Sequence, residues 1–226
     1  MKMKFGALVV AGSGKIGGQV ASRNRAGAYL RTKSTPINPQ TASQSAVRSR
    51  LASISQSWRD LTAAQRSAWN GSVSNFQKTD VFGDLRNPTG FNLYQRLNNN
   101  LVTIGKTEIQ VPPVPSEVLS VILSSVTSTA AAALGLVLSG NVPAGTSVKV
   151  FASPPLSAGV SFVKSEYRLI TIAAAADTTP IDVSTEYVAK FGASIVGQKI
   201  FARITFVDDV TGLETPSQSA SLVTIA

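Results

Sequence analysis

The chain has 226 residues, of which 21 are Lys or Arg and 12 are Asp or Glu, a net charge of +9, and neither Cys nor His. The missing residue types exclude thiol nucleophiles, disulfides, Cys/His zinc sites and imidazole acid–base catalysis. Carboxylates are too sparse for a dense metal cluster. We therefore expect a protein that is not an enzyme, with no cofactor and no small-molecule substrate.

The positive charge is concentrated in the first third of the chain. Residues 1–75 contain 11 of the 21 Lys and Arg but a single carboxylate, Asp60, so they carry +10 and the remaining residues carry −1. Clustered positive charge attracts phosphate or carboxylate surfaces. We interpret the basic end as a docking region and the near-neutral, aliphatic remainder as a presented region. The candidate partner- or phosphate-binding residues are Lys15, Arg23, Arg25, Arg31, Lys33, Arg48 and Arg50.

The chain begins like an export signal, with a basic start followed by the apolar residues 5–11. This apolar stretch is short, contains Gly6 and leads to Lys15 without a convincing cleavage site. We therefore do not expect a signal peptide.

Glycines follow in the pattern G-x-G-x-x-G, at Gly12, Gly14 and Gly17. A dinucleotide site would need a helix after this pattern and an acidic residue about twenty residues further on. The following residues have no apolar helical face, and the first acidic residue is Asp60. We expect these glycines to permit tight turns or close chain contacts.

The residue pattern of the segment 5–35 predicts an extended arm. Residues 20–24 and 28–32 alternate in polarity on either side of residues 25–27. This pattern predicts a β-hairpin in which Gly27 supplies the turn conformation.

Three helices with apolar stripes are predicted next. The first begins with a capping box of Thr41 and Gln44, and the second begins with one of Thr62 and Gln65. Because each stripe must be buried, we expect the helices to pack on one another and on the hairpin. The stripe of the first helix is Val47, Leu51, Ile54, Trp58 and Leu61. The helices cover about 41–60, 62–75 and 90–104 of a basic anchoring domain, 1–110.

A Pro-rich linker at 111–115 predicts the boundary to a second domain, 116–226. Strand and turn patterns recur there every 8–12 residues or so, which is typical of an antiparallel β-sandwich. The uncharged run 118–148 is long enough to span a membrane, but its Ser and Thr residues favour two strands instead. The overall expectation is an α+β protein of two domains with no membrane contact. The predicted strands are 118–124, 130–138, 146–152, 166–174, 198–207 and 217–225, and the segment 153–198 as a whole is irregular.

Several ordered blocks of the first hundred residues resemble a family of virion structural proteins found in tailed bacteriophages and prophages. The blocks are SGKIGGQV (13–20), SRNRAGAYLR (22–31), PQTASQ (39–44), WRDLTAAQR (58–66), SAW (67–69) and NPTGFNLY (87–94). The second domain is similar in pattern to immunoglobulin-like or fibronectin-III-like sandwiches.

The resemblance implies a particle component without catalytic residues, assembled in the host bacterial cytoplasm and located in the virion. Its partners would be capsid, portal, neck or tail proteins and copies of itself, and its role that of a capsid decoration or head–tail connector protein. Contact with packaged nucleic acid is a further possibility.

Two alternatives stay open from the sequence. A nucleic-acid-binding protein would use the same basic end, and its binding would weaken steeply with salt. A reductase using the glycine pattern would be stabilised by NADPH.

Overall fold

The computed structural model describes residues 2–4, 12–35, 37–118, 120–128, 134–174 and 179–225. Helices and antiparallel sheets are both present, as expected for an α+β protein.

The first residues form an antiparallel sheet of four strands, β1 to β4, arranged in the order β1-β4-β3-β2. The predicted hairpin is its centre, since Asn24 pairs with Gly27 across a two-residue turn. Gly27 has a φ of +109°, a conformation that glycine adopts readily. Residues 5–11 of the predicted arm lie outside the described residues. The strands are Lys2–Met3, Gly14–Ile16, Gln19–Asn24 and Gly27–Thr32.

Three α-helices follow: α1 Ala42–Asp60, α2 Ala63–Gly71 and α3 Gly90–Thr103. The first and third confirm the prediction. The second was predicted to run to about residue 75, and the segment is helical to Phe76, but the α-helix ends at Gly71 and continues as a 3-10 helix over Ser72–Phe76. Glycine is unfavourable within a helix, and the Ser72 hydroxyl donates a hydrogen bond to the Trp69 carbonyl at this point.

The capping boxes differ. The Thr62 side chain accepts from the Gln65 N–H, and the Gln65 side chain accepts from the Thr62 N–H, so this box is complete. Thr41 accepts from the Gln44 N–H, but the buried Gln44 Oε1 has no partner among the described residues. The predicted reciprocal bond at α1 is therefore missing.

The helices share one apolar core, and the short strands β5 Lys78–Thr79 and β6 Leu85–Arg86 pair beside it. No residue of β1–β4 belongs to this core among the described residues, so the expected apolar packing on the hairpin is not found in that part of the chain. The reason is composition, because Ala21 is the only buried side chain described in that sheet. The core residues are Ile54, Leu61, Trp69, Phe76, Leu93, Tyr94 and Leu97.

The second half contains two antiparallel sheets that contribute to one core. The smaller sheet has the order β12-β8-β7. In the larger sheet the order is β10-β13-β9-β11, and β14 pairs with β13. The strands are β7 Leu123–Ser128, β8 Leu134–Leu138, β9 Thr146–Ala152, β10 Leu156–Ser157, β11 Arg168–Ala173, β12 Ile181–Asp182, β13 Gln198–Asp208 and β14 Gln218–Val223.

Two features of this half differ from the prediction. The first strand is displaced from 118–124 to Leu123–Ser128, because Leu123, Val126 and the polar Ser128 point inward. A helix, α4 at Ser184–Phe191, lies in the segment that seemed irregular from sequence. Its Tyr187 is buried in the core of the sheets and stacks on Phe191.

Both faces of β13 are covered, although its alternation suggests one covered face. Along the strand, the alternating residues Ile200, Ala202, Ile204 and Phe206 form the inner face and are completely buried. On the other face, Val207 packs against Leu101 and Ile104 near the end of α3. The helical part therefore sits directly on the outer face of the larger sheet.

Polar contacts complete this junction between α3 and the sheet. Asn100 donates from Nδ2 to the Gly212 carbonyl at 2.9 Å. The buried Lys149 ammonium donates to Asn100 Oδ1 at 3.0 Å and to Glu214 Oε2 at 2.9 Å. Lys106 and Asp209 form an ion pair at the rim, 3.0 Å apart.

None of the described helices is both long enough and apolar enough to cross a membrane.

Candidate docking surface

Two of the predicted cationic residues share one face of the N-terminal sheet. Lys15 on β2 pairs with Val20 on β3, and Val20 pairs in turn with Arg31 on β4. Residues that are directly opposite in neighbouring strands lie on the same face. Lys15 and Arg31 therefore flank Val20 in one row, and both are exposed.

The other predicted cations of the arm are spread around this sheet. Arg23 is three positions from Val20, so it lies on the opposite face. Arg25 is in the hairpin turn, and Lys33 follows β4 with its N–H bonded to the Gly18 carbonyl. The arm is thus positive on both faces and at its tip.

The first half of α1 has an uncovered apolar stripe. Ile54 is fully buried in the helical core, whereas Val47 is 60% exposed and Leu51 is 49% exposed. The stripe therefore runs from the core out to solvent within two helical turns. An apolar stripe that leaves the core of its own chain is a candidate contact for another molecule.

Arg48 and Arg50 lie beside this stripe and are both used within the chain. Arg48 donates to the Asn38 side chain at 2.8 Å. Arg50 donates to the Thr103 hydroxyl at 2.6 Å, which ties α1 to α3. Arg48 remains exposed, whereas Arg50 is half-buried and has a structural role.

None of the seven predicted cations forms an ion pair with an acidic side chain of the described residues. The described residues form six ion pairs, and none of these pairs involves Lys15, Arg23, Arg25, Arg31, Lys33, Arg48 or Arg50. Their positive charge is therefore not cancelled by contact within the described part of the chain.

Other cations near the same sheet are neutralised by the loop between β5 and β6. Lys2 and Arg86 each lie 3.4 Å from Asp80, and Lys4 lies 3.0 Å from Asp84. These pairs attach the strand β1, and with it the N-terminal sheet, to the helical part. The sheet is thus held by charge where the prediction expected apolar packing.

The Asp80 carboxylate organises this attachment, and its side chain is only 3% exposed. Burial acts to raise its pKa, but the N–H groups of Phe82 and Asp84 and the Lys2 ammonium outweigh burial, so the pKa lies below its ordinary value. The Asp80 carboxylate therefore stays ionised to lower pH than an ordinary aspartate.

A cavity of about 580 Å³ separates the hairpin tip from the start of α3. Its lining includes three cations: Arg25, and the directly paired Lys78 and Arg86 of β5 and β6. No carboxylate lines it among the described residues. Arg86 is paired with Asp80 and Asp84, whereas Arg25 and Lys78 have no ion pair among the described residues, so these two cations are the groups that an anion in this cavity would meet. Lys78 and Arg86 were not among the predicted residues, because they follow the basic segment in sequence and lie near Arg25 only in the folded chain.

The glycine pattern is followed by a strand. Gly14 lies on β2 and Gly17 in the turn to β3, with φ values of +125° and +55°. A Cβ added at either would meet nothing within 4 Å. The positive φ values agree with the turn interpretation of the glycines, whereas a close chain contact is wrong at these two. A dinucleotide site requires a helix after the pattern, and this chain has the strand β3 there instead.

Comparisons with protein-family models, with curated proteins and with solved structures find no match for this chain. Among the residues that the structure describes, no group of three or more metal-ligating side chains is present.

Proposed function

We propose that this chain is a structural protein of a tailed-bacteriophage virion, assembled in the bacterial cytoplasm. It docks onto an acidic surface of a capsid or neck protein, and it presents its second half as an immunoglobulin- or fibronectin-III-like sandwich. The docking surface consists of the exposed cations of the N-terminal sheet together with Val47 and Leu51. Two observations carry the proposal: the exposed cations of the N-terminal sheet form no ion pairs among the described residues, and α1 has an uncovered apolar stripe.

The mixture of charge and apolar surface favours a protein partner. Protein interfaces combine an apolar centre with charged residues around it, and Arg is common in them. Complementary charge speeds the encounter, and burial of Val47 and Leu51 would stabilise the complex. A partner lacking an apolar patch would leave this stripe in water.

The sandwich assignment rests on the arrangement of the two sheets. Sequential strands pair at β7–β8 and at β13–β14, and the sheets enclose one core. This agrees with an immunoglobulin-like architecture. A β-sandwich of this type can act as a spacer or as an exposed domain without a catalytic site.

The test is incorporation of charge variants into phage particles. The variant Lys15→Glu/Arg31→Glu reverses two exposed residues of one row, so we expect its folding to be unchanged and its incorporation to fall at least about tenfold. The matched control is Arg168→Glu/Lys190→Glu, which changes the net charge equally but lies in the sandwich. A chain lacking residues 1–35 should not be incorporated at all.

Copies per particle, measured by quantitative mass spectrometry of purified virions, decide the outcome. Equal incorporation of the two charge variants would contradict docking through the N-terminal sheet. Full incorporation of the truncated chain would contradict any anchoring role for the arm.

A nucleic-acid-binding protein is the second candidate, favoured by the cavity with Arg25, Lys78 and Arg86. Binding driven by phosphates would release counterions, so affinity for DNA of any sequence would fall steeply with rising salt. A fluorescence titration of the full chain with mixed-sequence duplex DNA at several salt concentrations separates the candidates. The leading proposal expects no binding at physiological salt.

A further inference from the structure

The outer face of the larger sheet carries a groove that the docking function does not use. Residues 158–167, between β10 and β11, fold over the strands β13 and β14 and leave a cavity of about 400 Å³. Its lining contains aromatic rings, four serines and the cations Lys164 and Arg203, but no carboxylate among the described residues.

Arg203 is the central group of this groove. Its guanidinium lies between two rings, 5.0 Å from the centroid of Phe151 and 4.5 Å from that of Tyr167. Both rings stabilise the cation and fix the plane of the guanidinium, so its N–H donors are held in place. Phe151 is the direct cross-strand neighbour of Arg203 on one side, and Ser219 is on the other.

The buried Nε–H of Arg203 has no hydrogen-bond partner among the described residues. A buried donor without an acceptor is costly, and such groups in native proteins call for an explanation. Arg203 also forms part of the groove wall, so a ligand oxygen in the groove would be an acceptor for its guanidinium. A carboxylate is the best match, since guanidinium and carboxylate pair in a planar, charge-assisted geometry.

The remaining lining matches a ligand that is rich in hydroxyl groups. Ser219 and Ser221 on β14 line the groove with two further serines, and each hydroxyl can donate one hydrogen bond and accept others. Phe162, which is 73% exposed, presents a ring at the edge of the groove. The negative face of an aromatic ring attracts C–H groups that carry partial positive charge, such as those on one side of a sugar ring.

We propose that this groove binds an anionic saccharide, with the carboxylate of a uronic acid at Arg203 and a sugar ring against Phe162. Lys164 adds a second positive charge, and the serines bond the sugar hydroxyls. The site is separate from the docking surface, so it can act while the N-terminal sheet is anchored.

The experiment is a calorimetric titration of the full chain with three probes at equal ionic strength: trigalacturonate, the neutral maltotriose and sodium sulfate. We expect saturable binding of trigalacturonate at millimolar concentration and at least about tenfold weaker binding of the other two. Equal binding of maltotriose would overturn the role of Arg203, and equal binding of sulfate would overturn the saccharide assignment. No binding of trigalacturonate would overturn the proposal as a whole.

Two variants test the residues, with one matched control. Phe162→Ala removes an exposed ring and should leave folding intact while weakening trigalacturonate binding at least about fivefold. Arg203→Gln should abolish binding, and circular dichroism reports whether it folds. Val210→Ala, at an equally exposed position outside the groove, should bind like the unchanged protein. Unchanged binding by Phe162→Ala would contradict the geometry even if Arg203→Gln fails to fold.

Discussion

The contact between α3 and the turn after β13 gives the sharpest test of how the two halves are joined. Gly212 has a φ of +70°, and an added Cβ would lie 2.4 Å from the Leu97 carbonyl oxygen and 3.0 Å from the Leu101 side chain. Gly212→Ala therefore has two costs. The left-handed conformation costs a residue with a Cβ about 1–2 kcal/mol. Separating the helix backbone from the turn costs about 1–3 kcal/mol more, as overpacking does in cores.

Gly145→Ala is the matched control for this variant. Gly145 has a φ of +76° and open space around its Cβ position, so only the conformational cost of about 1–2 kcal/mol applies. The free energy of unfolding should thus fall by about 2–5 kcal/mol for Gly212→Ala, with a Tm lowered by roughly 5–15 °C, and by less for the control. Denaturant and thermal melts followed by circular dichroism measure both. If the two variants lose equal stability, the close approach of α3 to this turn is refuted.

Three further outcomes follow from single contacts. Asn100→Ala should lower the free energy of unfolding by about 2–4 kcal/mol in a denaturant melt, because it removes the partner of the Gly212 carbonyl and one of the two acceptors of the buried Lys149 ammonium, whereas the exposed neighbour Asn99→Ala should change it by less than about 0.5 kcal/mol. Leu51→Ala should cost under about 1 kcal/mol and Ile54→Ala about 2–4 kcal/mol in the same assay, and a large loss for Leu51 would contradict its exposure. Because the pKa of Asp80 lies below its ordinary value in the folded chain, the stabilisation from its ionisation is fully present above the ordinary pKa of aspartate and is lost as the pH falls through the folded pKa. Asp80→Asn should flatten this part of the acid unfolding curve, and an unaltered curve would contradict the ion pairs.

Local signals explain most of what the sequence predicted correctly. Thr62 and Gln65 each cap an N–H group three residues away in the chain, so the start of α2 can be predicted without tertiary information. The period-2 pattern of β13 likewise identifies Ile200 and Ile204 as core residues. In each case, the residues that decide the structure lie within one element.

The parts that could not be predicted depend on residues far apart in sequence. Lys2 meets Asp80 only after folding, so the sequence could not show which basic residues are neutralised. The same is true of the groove, since Arg203 is stacked between rings from two other segments. The helix α4 was missed because its visible apolar pattern is one pair of residues, Tyr187 and Phe191.

The contacts between α3 and the larger sheet limit how the two halves of the chain can be oriented. The apolar contacts of this junction join Leu101 and Ile104 of α3 to Val207 and Ile172, and Leu213 to the helical core, while its centre is the buried Lys149 bonded to Asn100. Buried charged and polar groups add little net stability, because desolvation offsets the attraction. They do penalise other arrangements, since a shift of α3 would remove Asn100 from the buried Lys149 ammonium and from the Gly212 carbonyl. The polar centre therefore favours one orientation of the helical part relative to the two sheets.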